Sequence, residues 1–120
     1  MLDVYWLPHC KSCQKLVAYL EERDEQIRTL RNLKEDPLDR SEVRALAEGV
    51  GGADVLFSRR ARKYREMGLH ERDLGEEEML DLMASEYTFI SRPVIMRPDG
   101  SGVAGSSRKR LDALLEDEGS

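Results

Sequence analysis

The sequence predicts an α/β domain with a mixed sheet, in which a β-α-β unit and a β-β-α unit flank a run of helices. Three features predict this order. A short apolar stretch near the start leads directly into an amphipathic one, the middle has helical periodicity, and two strand-like stretches near the end are joined by a turn. We expect a single domain over residues 1–120, with a helical insertion at about residues 38–85.

The first unit contains both cysteines of the chain. The apolar run at 4–7 is short, as in a buried strand, and Pro8 ends it. The helix that follows has one apolar face, made of residues at positions i, i+3, i+4 and i+7: Cys13, Leu16, Val17 and Leu20. The segment "QIRTLRNL" is then expected to form a second strand, with Ile27 and Leu30 facing inward.

The expected insertion contains three helices. Asp39 is an N-cap candidate for the first, Glu42 follows three residues later as in a capping box, and Gly49 is placed to end the helix. The segment "GVGGAD" is expected to be a loop, and a short helix then runs through a basic stretch to Met67 and is ended by Gly68. The third helix has its apolar residues at Met79, Leu80 and Met83.

The last unit contains the segments "TFISRPVIM" and "SGVAGSS", which are predicted to be strands joined by a turn at "RPDG". Ser106 or Ser107 is expected to cap the final helix, whose apolar face consists of Leu111, Leu114 and Leu115. This order of elements is that of a thioredoxin-like fold.

The composition argues against several classes of protein. Of the 120 residues, 40% are hydrophobic and 36% charged, and no apolar run approaches the ~18 residues of a membrane span. The start, "MLDVYW", lacks the basic region and long apolar stretch of a secretory signal, so we expect a cytoplasmic protein with reduced thiols and no membrane partner. The net charge of −5 argues against direct nucleic-acid binding, although residues 59–65 are strongly basic.

The two cysteines are separated by two residues at the start of a helix, a spacing typical of redox chemistry. Cys10 is expected near the free N–H groups and the positive end of the helix dipole, and Lys11 adds a positive charge, so the Cys10 thiol should ionise readily. Cys13 is expected one turn later on the apolar face, where burial keeps its thiol protonated. The pair is therefore predicted to combine a nucleophile, Cys10, with a sheltered resolving thiol, Cys13.

Two other interpretations of the cysteines stay open. Free cysteines are often small core residues without a chemical role. A metal site is the other alternative, but structural zinc needs four ligands, and the chain offers only His9 and His70 besides the two sulfurs. His9 is adjacent to Cys10, which makes joint coordination awkward in a strand-to-helix turn. We therefore expect no metal.

Three arginines are candidates for binding an anion beside the thiolate, because the guanidinium fork suits oxyanions and carboxylates. Most of the basic stretch "RRARKYR" is expected on a solvated helix face, with at most two side chains reaching a site, first Arg60 and then Arg59. Arg92, directly before Pro93, is the third candidate. Its alternative role is a surface charge at a strand edge.

Four segments resemble the arsenate reductase (ArsC)/Spx family of the thioredoxin superfamily, in matching order and over nearly the whole chain. They are "VYWLPHCKSCQKL", "LKEDPLDRSEVRAL", "VLFSRRARKYREMGL" and "ISRPVIMRPDG". The resemblance implies that Cys10 attacks an oxyanion, that Cys13 forms a disulfide with it, and that Arg92 contacts the substrate anion. It also implies a cis peptide bond before Pro93.

The chain departs from the family at other anion-binding positions. Enteric-type arsenate reductases use three arginines, of which only Arg92 is in place here. The other two positions fall on Ser58 and near Gly105. Spx and YffB-like members have an arginine where Arg60 stands, and Arg108 is the basic residue nearest to Gly105.

The resemblance implies two alternative functions, and the affinity of neighbouring thiols for arsenite adds a third. The first is an enzyme that reduces arsenate or a related small oxyanion, with no bound cofactor and with thioredoxin or glutaredoxin/glutathione as the external thiol reductant. The second is a redox-switched regulator that binds RNA polymerase, and the third is a dithiol protein that binds arsenic without turnover. The resolving thiol Cys13 favours the enzyme.

Overall fold

The computed structural model describes residues 1–116, and its architecture confirms the predicted fold class. The strands are β1 (Leu2–Trp6), β2 (Ile27–Asn32), β3 (Val94–Met96) and β4 (Gly102–Ala104). The helices are α1 (Lys11–Glu22), α2 (Arg40–Val50), α3 (Ala53–Leu56), α4 (Arg62–Glu66), α5 (Glu76–Ser85) and α6 (Arg108–Glu116). Two 3₁₀ turns lie at Leu69–Glu71 and Tyr87–Phe89.

The four strands form one mixed sheet in the order β2-β1-β3-β4. Strand β1 is parallel to β2 and antiparallel to β3, and β3 is antiparallel to β4. The parallel pair is connected through α1, as a β-α-β unit requires, and the antiparallel pair is a hairpin. Helices α2 to α5 all lie between β2 and β3 in the sequence.

Each face of the sheet packs against its own apolar cluster. Successive side chains of a strand point to opposite faces, so neighbouring residues of β3 are buried in different clusters. Ile95 is buried with side chains of α1 and α6. Its neighbours Val94 and Met96 are buried with side chains of α2, α3 and α5. The predicted apolar face of α1 is confirmed, since its four residues, Cys13, Leu16, Val17 and Leu20, are all buried.

The second strand is present as predicted, but Leu30 does not face the interior. Its side chain is 47% exposed, whereas Ile27 is half-buried against the cluster that contains α1. Strand β2 is at the edge of the sheet and has only β1 as a neighbour. A side chain on such a strand is not enclosed from the outer side, so the apolar character of Leu30 did not predict burial.

Helix α2 begins as predicted but ends later. The Asp39 carboxylate accepts a hydrogen bond from the Glu42 N–H at 2.8 Å, and the Glu42 carboxylate accepts one from the Asp39 N–H at 3.1 Å, which is a capping box. The prediction that Gly49 ends the helix is wrong. Gly51, with a φ of +112°, is the C-cap.

Gly49 instead permits a close approach between α2 and the β3–β4 turn. A Cβ atom at this position would lie 2.2 Å from the carbonyl oxygen of Gly100 and 2.4 Å from Cε of Met96. The short helix α3 begins at Ala53, inside the segment predicted as a loop, and its Ala53 and Leu56 are buried. The glycines before it favoured a loop in the sequence.

The other predicted helices and strands are present, but some are shorter than expected. Helix α4 is followed by Gly68 in the left-handed region, with a φ of +69°. The strand predicted at "TFISRPVIM" is reduced to β3, because its first residues form the 3₁₀ turn at Tyr87–Phe89. Ser107 is the residue that caps α6, since its hydroxyl accepts a hydrogen bond from the Arg110 N–H at 3.3 Å. Within residues 1–116, no helix has the length and apolar character needed to cross a membrane.

Candidate active site

A cleft of about 540 Å³ brings together Cys10, four arginines and several serines. Three parts of the fold converge there: the start of α1, the segments around residues 57–60 and 90–92, and the start of α6. The residues with polar or reactive side chains are Cys10, Ser12, Ser58, Arg59, Arg60, Ser91, Arg92, Ser106, Ser107 and Arg110. All three arginines predicted from the sequence line the cleft.

Cys10 is positioned by the turn that connects β1 to α1. Its N–H donates to the carbonyl of Leu7 at 3.0 Å, and its own carbonyl accepts from the Gln14 N–H at 3.0 Å, which makes Cys10 the N-cap residue of α1. The thiol lies 3.2 Å from the hydroxyl oxygen of Ser12. Cys10 is partly exposed, so the thiol can be reached from the cleft.

The Cys10 thiol ionises more easily than an ordinary cysteine. Burial opposes ionisation, but hydrogen bonds to Ser12 and to the backbone and thiol of Cys13, together with the charge of Arg92, lower the pKa of Cys10 to about 7. This direction agrees with the prediction, although the reasons differ in part. The helix end and Lys11 are the causes expected from the sequence, whereas the Ser12 hydroxyl is the strongest contributor that favours the thiolate.

Cys13 has the opposite character. Its side chain is fully buried on the inner face of α1. Burial raises the pKa of the Cys13 thiol to about 12, the nearby Cys10 thiol adds to the increase, and a hydrogen bond involving the backbone of Leu7 acts against it. Both cysteines are free thiols in the structure. The site therefore holds a thiol that ionises near neutral pH beside one that stays protonated.

Arg92 is the arginine most firmly held in the cleft. Its Nη1 donates to the carbonyl oxygens of Tyr87, Thr88 and Ile90 at 3.4, 3.4 and 3.1 Å, which fixes the guanidinium. Its Nε is buried and has no hydrogen-bond partner among the described residues. The peptide bond between Arg92 and Pro93 is cis, as the resemblance implies. Arg92 thus supplies a fixed charge with donor capacity left over.

Arg59 and Arg60 reach the cleft because their segment is tied to the one that precedes β3. The Ser58 N–H donates to the Phe89 carbonyl at 2.6 Å, and the Ser91 N–H donates to the Leu56 carbonyl at 2.8 Å. The Arg59 guanidinium lies over the ring of Phe57, 5.6 Å from its centre. Both arginines are exposed and precede α4, so they belong to a loop rather than to the solvated helix face of the basic stretch.

Among the cleft residues that were not predicted as site residues, Ser12 and Arg110 bear most directly on the chemistry of the site. Ser12 lies between the two cysteines, and its role depends on the direction of its hydroxyl, which a sequence does not give. Arg110 lines the cleft from α6, whereas Arg108, the residue expected nearest to this position, lies over the ring of Tyr19 at 4.3 Å. The sequence places Arg110 in the first turn of the last helix, three residues after the predicted cap Ser107, but does not show that Arg110 rather than Arg108 borders the cleft.

The possible metal ligands do not form a cluster in the described part of the chain. Among residues 1–116, no group of three or more His, Cys, Asp or Glu side chains is arranged to hold a metal ion. His70 packs 6.4 Å from the ring of Tyr64, and its Nε2 lies 3.9 Å from a carboxylate oxygen of Glu71. His9 is exposed.

The chain is similar in sequence to known proteins over most of its length. Residues 5–113 match the profile of the ArsC family. The uncharacterized protein YusI of Bacillus subtilis (strain 168) is 36% identical over 97 residues, which cover 78% of this chain and 80% of YusI. The global transcriptional regulator Spx of Listeria innocua is 27% identical over 97 residues, which cover 80% of this chain and 73% of Spx.

Solved structures of the family share the fold. The structure of arsenate reductase from Vibrio cholerae superposes with a TM-score of 0.80 at 20% identity, over 96% of this chain and 95% of the reductase. At that identity the likeness concerns the fold alone. The match of the family profile to most of the chain, and the relation to YusI, lead to one conclusion: the chain belongs to the ArsC family.

Proposed function

We propose that this chain is a thiol-dependent oxidoreductase of the arsenate reductase type, acting on a small oxyanion such as arsenate. One observation supports the proposal above all. A thiol with a pKa of about 7, Cys10, lines the same cleft as four arginines and lies within hydrogen-bonding range of a buried, protonated thiol, Cys13. A protein that only exchanged disulfides would not need the arginines, and a protein that only bound anions would not need the two thiols.

In the first step the Cys10 thiolate attacks the arsenic atom of arsenate. A sulfur–arsenic bond forms, one arsenic–oxygen bond breaks, and the oxygen leaves as water after protonation. The negative charge of the substrate is balanced by Arg92 and by the exposed arginines of the cleft, Arg60 first and Arg59 second. The Ser12 hydroxyl stabilises the thiolate before the attack.

In the second step Cys13 resolves the adduct. Its thiol loses a proton to solvent and attacks the sulfur of Cys10, so that a disulfide bond forms and the sulfur–arsenic bond breaks. The electron pair stays on arsenic, which is reduced from As(V) to As(III) and leaves as arsenite. One arsenate and two thiols thus give one arsenite, one disulfide and one water.

In the third step an external thiol restores the enzyme. Thioredoxin, or glutaredoxin with glutathione, attacks the Cys10–Cys13 disulfide and is oxidised in its place. No bound cofactor takes part. The cycle needs a reducing compartment, which we propose to be the cytoplasm.

The proposal is tested by measuring arsenite formation and NADPH consumption with arsenate, thioredoxin or glutaredoxin, and the matching reductase. We expect turnover with the wild-type chain and none with Cys10→Ser. An absence of turnover with every donor, from a protein whose two thiols still form an intramolecular disulfide with a chemical oxidant, contradicts the arsenate reaction.

The second candidate function is a redox-switched regulator that binds RNA polymerase. The similarity to Spx over 80% of the chain favours it. Reduced and oxidised protein would then differ in how much polymerase they retain in a binding assay, without arsenate turnover. Tight binding of arsenite by the reduced protein, again without turnover, would indicate the third alternative, an arsenic-binding dithiol.

A further inference from the structure

The start of α6 carries three basic residues in a row, and only one of them lines the cleft. Residues two positions apart on an α-helix point roughly 200° apart. Arg108 accordingly lies over the ring of Tyr19 at 4.3 Å, whereas Arg110 borders the cleft that contains Cys10. The two arginines share one helix and one charge but face different surroundings.

The backbone at Arg110 is fixed, and its side chain is exposed. The Arg110 N–H donates to the Ser107 hydroxyl at 3.3 Å, which caps the first turn of α6. Among the described residues, Arg23 and Arg97 form ion pairs with carboxylates, whereas Arg110 forms none. Its guanidinium is therefore available to a ligand in the cleft.

The negative charges of the thiolate and of a bound oxyanion require more positive charge than Arg92 alone supplies, and Arg110 can provide it. A doubly charged tetrahedral oxyanion beside the Cys10 thiolate brings three negative charges into one cleft. Arg92 supplies one positive charge at a fixed place, with three carbonyl oxygens already on its Nη1. Leaving two partly desolvated negative charges without partners is costly, so further cations are needed from the cleft walls.

We infer that Arg110 is an anion-binding residue that acts with Arg60, from a different segment of the chain, to make the cleft selective for doubly charged oxyanions. This inference rests on the proposed function, since it concerns the same site. Arg60 and Arg110 are both exposed and lie on separate elements, so each approaches the anion independently of the other. Arg59 is already engaged, because its guanidinium lies over the ring of Phe57.

The test measures anion binding without turnover. Sulfate is an unreactive dianion, and its binding beside Cys10 should protect the thiol from alkylation by iodoacetamide, a neutral reagent. The alkylation rate is measured against sulfate concentration at pH 8, with sodium chloride holding the ionic strength constant. Each variant is compared with its own rate in chloride alone, so a change in thiol reactivity cancels.

For Arg110→Gln we expect that about tenfold more sulfate is needed for half-protection, the size of one charged hydrogen-bonding contact. Arg108→Gln, the matched control, should behave as wild type. Arg110→Lys keeps the charge but not the planar fork, so its sulfate requirement should lie between those of wild type and Arg110→Gln. Arg110 is exposed, so its replacement should leave the fold intact, and circular dichroism of each variant checks this.

Three results overturn the inference: equal protection in Arg110→Gln and wild type, equal losses in the Arg110 and Arg108 variants, and no protection of wild type by sulfate beyond that by chloride. Arsenate turnover, measured on the same samples, separates the two proposals. If wild type turns over arsenate but sulfate protects Cys10 equally well without Arg110, only the role of Arg110 is overturned. Protection that depends on Arg110 without any turnover upholds the anion site and overturns the arsenate reaction.

Discussion

The sulfur of Cys10 and the hydroxyl oxygen of Ser12 are 3.2 Å apart across the first turn of α1. No other side-chain contact of Cys10 favours its thiolate as strongly. Ser12, one of the two central residues of the Cys-x-x-Cys segment, therefore takes part in tuning the first thiol, because a hydroxyl two residues after the N-cap can turn back towards the sulfur.

Replacing Ser12 with alanine should raise the pKa of Cys10 towards its ordinary range, since a hydrogen bond to the charged form is lost. At pH 7 the alkylation rate of Cys10 should fall by about tenfold, as expected for one hydrogen bond to a charged group. The pH dependence of iodoacetamide alkylation measures the shift. Ser91→Ala is the control, because Ser91 also lines the cleft without a hydrogen bond to Cys10. Equal pH profiles for the Ser12 variant and wild type would show that the contact does not tune the thiol.

In the wild-type chain the two thiols should differ in reactivity over a wide pH range. The pKa of Cys10 is lowered to about 7, so its thiolate predominates above that pH and its reactivity is lost as the pH falls below it. The pKa of Cys13 is raised to about 12, so its thiol stays protonated throughout. Between pH 7 and 9 we expect one fast alkylation per chain, located at Cys10 by peptide mass spectrometry. Similar rates at both cysteines would contradict the assignment.

The fold could be predicted from the sequence because its main signals are local. The apolar face of α1, the capping box at Asp39 and Glu42, and the hairpin turn each depend on residues close together in the chain. Leu30 and Gly49 were misjudged for a shared reason. Exposure at a sheet edge and the close approach of Gly49 to Gly100 depend on which elements are neighbours in space.

In the candidate site, too, the residues with local sequence signals were predicted, and those whose place depends on packing between elements were not. The sequence and the family resemblance predicted Cys10, Cys13 and Arg92 as site residues, because their spacing from the helix start and from Pro93 has a direct chemical meaning. Arg110 was missed because its approach to the cleft depends on how α6 is rotated against the sheet. A run of three basic residues at 108–110 does not indicate which one faces inward.

Replacing Gly49 with alanine should destabilise the protein, although alanine is the better helix former by about 1 kcal/mol. The added Cβ would lie 2.2 Å from the Gly100 carbonyl oxygen, a backbone atom that can move only if the hairpin turn moves. Overpacking of this kind costs about 1–3 kcal/mol, so the net free energy of unfolding should fall. Urea unfolding measures the difference. Glu48→Ala, an exposed change at the preceding position of α2, should leave the midpoint nearly unchanged. A stabilised Gly49 variant would mean that the hairpin moves aside at little cost.

Replacing Cys13 with alanine should separate nucleophilic attack from resolution. Cys10 keeps its place at the start of α1 and its hydrogen bond to Ser12, so it should still attack a small symmetrical aromatic disulfide and release one aromatic thiol. In wild type the Cys13 thiol then displaces the bound half-reagent, forms the Cys10–Cys13 disulfide and releases a second equivalent of thiol. In the variant the mixed disulfide at Cys10 should persist, with one equivalent released per chain and the expected mass increase. Cys10→Ala is the matched control and should form no fast adduct, since the remaining thiol is buried and protonated. If the Cys10 variant formed the stable adduct and the Cys13 variant did not, the two roles would have to be exchanged.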